Sequence, residues 1–130
     1  MGALSKSVEK FDKSITREIL IENSKILDKD EIYLNLKDLP PEINRDNFWS
    51  YNKNDSILPD RIIIEHVLIY GDLDEIAALF KIIPADRIIK VYKLFIKPQN
   101  KYNDIKLFRL LDFILPIFKK KCGLKILKKY

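Results

Sequence analysis

A mainly α-helical fold, a compact bundle of four to five helices, is what this 130-residue chain predicts from three observations. Apolar residues recur at three- and four-residue spacing in several separate stretches. Prolines and cap-forming residues fall at the ends of those stretches, where helices start and stop. The hydrophobic fraction of 47% beside a charged fraction of 33% is that of an ordinary globular domain.

In the first stretch Val8, Phe11, Ile15 and Ile19 share one face, with Lys10, Lys13, Arg17 and Glu18 between them. This predicts a helix over 5–22, ended where Asn23 and Ser24 weaken the pattern. Residues 31–36 alternate, with Ile32, Leu34 and Leu36 on one side, which allows one short strand for which no pairing partner stands out. Pro40-Pro41 ends that segment, and the polar stretch 44–60 is broken only by Phe48-Trp49 and Tyr51. Adjacent aromatics in a polar loop are expected to anchor it, with Trp49 packed against the helices at 60–70 and 73–83. The alternative is a partner-binding role for Phe48, Trp49 and Tyr51.

Pro59 suits a first helical turn, and Ile62, Ile63, His66, Val67 and Tyr70 line one side of a helix over 60–70 that Gly71 caps. Asp72, with Glu75 three residues on, forms a capping box opening a helix over 73–83. Pro84 separates it from a helix over 85–97 that buries Ile88, Val91, Tyr92 and Phe95. A turn from Pro98 leads to a last helix over 104–118, rich in Leu107, Phe108, Leu111 and Leu115 and expected to kink at Pro116. The domain reading is one helical unit over 1–118, with 1–47 an N-terminal extension and 48–118 the core. Residues 119–130 form a basic tail. No ankyrin-type repeat recurs, although Tyr70 to Ile76 has the outline of one such turn.

Charge is unevenly placed. Residues 119–130 carry six lysines and no acid, while the other 118 residues hold 18 basic and 19 acidic side chains. One cysteine, Cys122, forms no internal disulfide and suits a reducing, cytoplasmic setting. No run is apolar enough to predict a membrane span.

The chemistry-bearing residues are sparse. His66 is the lone histidine and reads as a boundary side chain. With Cys122 it cannot furnish a zinc set, and no base is organised beside the thiol. Asp72, Asp74 and Glu75 sit where acids favour a helix N-terminus. No catalytic residue, metal or cofactor is therefore expected, and the sequence predicts a binding protein rather than an enzyme. Two basic features remain as candidate nucleic-acid contacts. Arg87, Lys90, Lys93 and Lys97 share about a third of a helix circumference. The second feature is the tail, beginning with Lys119, Lys120 and Lys121. A helix-turn-helix reading of 59–83 is opposed by Asp74 and Glu75 at the end that would meet bases.

Phe48-Trp49, then Ile62-Ile63, Val67-Leu68, Tyr70-Gly71-Asp72-Leu73 and Ile76 together resemble a small prokaryotic domain-of-unknown-function family. Its members open with a Phe-Trp-Asp motif and continue with an Ile-Ile-x-x-Val-Leu-x-x-Gly helix end. Ser50 stands where that family has Asp, and His66 where Arg is common. The resemblance runs from Phe48 to about Lys97 and implies an antitoxin-like protein, often encoded beside nucleotidyltransferase toxins of the abortive-infection class. The expected partner is then a cognate toxin, with nucleic-acid binding or another protein–protein interaction role as the alternatives.

Overall fold

A computed structural model describes residues 17–51, 56–99 and 104–129, with side chains described as far as residue 121. The chain is mainly α, with five helices and one short antiparallel ribbon among the described residues.

Helix α1 covers residues 17–28; residues 5–16 of the predicted first helix lie outside the described residues. It continues through Asn23 and Ser24 instead of stopping there. Pro98 has no N–H to offer the carbonyl four residues before it, and that carbonyl, on Leu94, accepts from Asn23 Nδ2 at 2.9 Å. A polar break in one helix thus satisfies an orphan in another. One turn further on, Leu27 is fully buried.

Strand β1, Tyr33–Asn35, pairs antiparallel with β2, Ile57–Pro59, placing Leu34 opposite Leu58. The ribbon extends by one bond at each end, from Leu36 N to Ser56 O at 3.0 Å and from Asp60 N to Ile32 O at 2.8 Å. The second strand was not expected. Three residues ending in proline are too short to show alternation.

Helices α2, Asp60–Tyr70, and α3, Leu73–Ile82, meet at Gly71. Its backbone is extended, and glycine is required for space: a Cβ there would lie 2.6 Å from the Val67 carbonyl oxygen. The predicted capping box is formed, with Asp72 Oδ1 accepting from Glu75 N at 2.9 Å and Glu75 Oε1 from Asp72 N at 3.3 Å.

Helix α4, Ala85–Val91, widens into a π turn over Tyr92–Ile96 and tightens to a 3-10 turn over Lys97–Gln99. Helix α5, Ile105–Lys129, runs on past 118, where the apolar pattern gives way to lysines. Its inner face buries Leu111, Ile114 and Leu115, and Phe118 stacks on Phe80 with centroids 5.3 Å apart. Its outer face leaves Leu110, Phe113 and Ile117 exposed. Among the described residues no helix is long and apolar enough to cross a membrane.

One polar cluster sits inside this apolar frame. Arg87, 7% exposed, grips the buried Asp60 carboxylate with both ends of its fork, Nε to Oδ2 at 2.8 Å and Nη2 to Oδ1 at 2.9 Å. Its remaining nitrogen donates to the Leu27 carbonyl at 2.8 Å, so one guanidinium ties α1, α2 and α4 together. A bidentate geometry with the third nitrogen satisfied is what makes a buried ion pair tolerable.

Candidate functional site

The loop over 39–51 leads to α2 and is fixed by its own polar side chains. Asn44 caps the 3-10 turn Arg45–Phe48 by accepting from Asp46 N at 2.9 Å. The Arg45 guanidinium donates to the carbonyls of Pro40 and Ile43, both at 2.7 Å, and of Leu39. Glu75, already the capping-box acid of α3, accepts from Asn44 N at 3.2 Å and from Asn47 Nδ2. The turn is therefore tied to the N-terminus of α3 by a largely buried carboxylate.

This pinned turn sends its two aromatics in opposite directions. Phe48 is fully buried and stacks on His66, with centroids 5.3 Å apart and planes 18° apart. Phe48 is thus removed from the candidate partner contacts, because no part of its ring is accessible. Trp49 is 74% exposed, which overturns the expectation that it packs against α2 and α3. The anchoring role belongs to its neighbour.

His66 forms the base of an aromatic cluster. Tyr51 meets it edge-on at 5.7 Å and Tyr70 lies tilted at 5.9 Å, while its Nδ1 lies 2.8 Å from the Ile62 carbonyl oxygen. Tyr70 and Leu73 are exposed, and Tyr51 is half-buried. Two phenols against a fixed base, with an exposed indole on the adjoining turn, make an amphipathic surface suited to burying apolar area while hydrogen bonding at its margin. Among the described residues no group of three His, Cys, Asp or Glu side chains is placed to hold a metal ion.

The basic face predicted on α4 is divided. Arg87 is withdrawn from it by the buried pair with Asp60, so it cannot reach a phosphate. Lys90 lines a cavity of about 380 Å3 beside Asp30, Asp60 and Asp86. Lys97 bonds Asp112 at 3.0 Å and lies over the Tyr92 ring at 5.6 Å. Lys93 turns toward α5, where it joins Lys119 and Lys120 around a groove of about 630 Å3. Lys121 is exposed on the same helix. Sequence could group these lysines by helix face but not by which neighbouring helix each one meets.

Inside the groove Tyr92 donates its hydroxyl hydrogen to Asp112 Oδ1 at 2.8 Å. Burial, reinforced by the Asp112 charge, pushes the phenol well above its ordinary pKa. Burial opposes the Asp112 charge, but bonds from Lys97 and Tyr92 and the charges of Lys97 and Lys93 together hold its carboxyl below the ordinary range. A carboxyl depressed in the folded state stabilises above its unfolded pKa, and that contribution is lost as pH falls through the folded value. Tyr92→Phe is accordingly expected to raise the Asp112 pKa, read by carboxyl NMR titration. An unmoved titration would show that the hydroxyl is not a partner.

Scans against protein-family models, curated proteins and solved structures find no match to this chain.

Proposed function

We propose that this is a non-catalytic, antitoxin-like cytoplasmic protein that binds and masks a partner enzyme, with Trp49 as the central anchor of the contact. The observation that carries the reading is an indole 74% exposed at the end of a turn whose Asn44, Arg45, Asn47 and Phe48 side chains are engaged. A large, mostly apolar side chain standing in water is favourable to cover. Tryptophans are characteristic energetic centres of protein interfaces, and the backbone of this turn needs little further ordering on binding. The resemblance over Phe48 to Lys97 supplies the class of partner, a nucleotidyltransferase-type toxin. It includes the Phe-Trp pair, whose second member is the exposed one.

Trp49→Ala is expected to weaken capture of a nucleotidyltransferase encoded by the adjacent gene by roughly 30-fold or more, the effect of losing an interface hot spot. Its melting temperature should stay near that of the parent, as for most exposed positions. Retained capture with Trp49 replaced would remove the indole from the interface. A neighbour that is not captured by the parent protein would remove the antitoxin reading itself.

Nucleic-acid binding is the weaker reading. It keeps Lys90, Lys93, Lys97, Lys119, Lys120 and Lys121 but loses Arg87, and two of its lysines are already paired, Lys97 with Asp112 and Lys119 with Asp86.

A further inference from the structure

The groove between α4 and α5 is a second surface, separate from the aromatic one. Its floor is apolar, from Ile89, Leu111, Leu115 and Pro116. Both acids within reach are taken: Asp112 by Tyr92 and Lys97, and Asp86 by Lys119 at 2.7 Å. Lys93 acts on Asp112 only through space and Lys120 has no ion-pair partner among the described residues, so the groove carries an excess of positive charge.

The chain's own remaining segments fit this charge poorly. Residues 1–16 carry Lys6, Lys10 and Lys13 against Glu9 and Asp12, and residues 122–130 carry Lys125, Lys128 and Lys129 with no acid. A second copy docked about a two-fold axis through the groove would set these lysines against their own equivalents. The walls are two helices whose backbones are internally bonded, so no strand edge is available for β-addition. Side-chain ridges of a third helix fit such a groove. A phosphate backbone would satisfy the lysines but leave the apolar floor unfilled.

We propose that the α4–α5 groove binds an acidic amphipathic helix of a partner protein, its apolar side chains entering over Ile89, Leu111 and Leu115 and its carboxylates meeting Lys93 and Lys120. The contact does not depend on Trp49.

The probe is a fluorescent synthetic helix of leucine and glutamate, with leucines at i, i+4 and i+7. A shuffled peptide of the same composition and a leucine–lysine helix are its controls. The acidic helix is expected to bind and the two controls to bind far more weakly. Lys93→Glu with Lys120→Glu should lower affinity at least about tenfold, because two attractions become repulsions, while Trp49→Ala should leave it unchanged. Amide chemical-shift changes in the parent protein should fall on residues 89–93 and 111–120. No binding of the acidic helix, equal binding of the shuffled peptide, or shifts mapping elsewhere would overturn the proposal. So would binding of duplex DNA or phosphatidylserine vesicles in place of the peptide, which would assign the groove to phosphate or to a lipid surface.

Discussion

Arg87→Ala is expected to destabilise the protein by roughly 3–5 kcal/mol, the usual consequence of stranding one member of a buried ion pair. The variant leaves the Asp60 carboxylate inside the core without its counter-charge and deprives the Leu27 carbonyl of its donor. Urea unfolding at neutral pH reads the loss directly. Arg87→Lys should recover only part of it, since an ammonium cannot reproduce two parallel bonds to one carboxylate and a third to a carbonyl. Replacing both partners, Asp60→Leu with Arg87→Met, should recover more than either single change, because a well-packed apolar pair avoids the desolvation of both ions. A stability change below about 1 kcal/mol in Arg87→Ala would mean that the guanidinium is solvated and belongs to the basic face after all.

Phe48→Ala is the second large effect. The ring is fully buried between the 45–48 turn and His66, and its removal is expected to cost about 3–5 kcal/mol, part transfer and part residual cavity. The adjacent Trp49→Ala should shift stability by no more than about 0.5 kcal/mol. The two variants, compared by thermal unfolding, test which aromatic faces inward. The opposite order would invert the site, making the indole a core residue and the phenyl ring the contact.

The helices over 60–97 are the part of the fold most legible in the sequence, because their punctuation is local. Pro59, Gly71, the Asp72–Glu75 box and Pro84 all act within four residues of the ends they define. Several departures turn on a partner distant in the chain. Asn23 reads as a break until Leu94 supplies a carbonyl to receive its amide. Arg87 reads as part of a basic stripe because the acid it meets lies 27 positions earlier, on another helix. An aspartate directly after Pro59 is equally natural as a dipole partner, so its burial carries no local signal. Phe48 and Trp49 are equally apolar neighbours, and only the direction of a 3-10 turn pinned by Glu75 separates them. The strand pairing at 57–59 depends likewise on β1 lying alongside.

Glu75 serves two structures with one carboxylate: it closes the first turn of α3 and it holds Asn44 and Asn47 in the loop before α2. The two tasks use different oxygens, Oε1 for α3 and Oε2 for the loop, but share one side-chain position. Lifting the loop away breaks the bonds to Oε2 and leaves the carboxylate held only by the Asp72 amide on Oε1, so loop opening favours fraying of the first turn of α3. A partner that covers Trp49 and holds the loop closed should therefore slow amide exchange in the first turn of α3, a segment it need not touch.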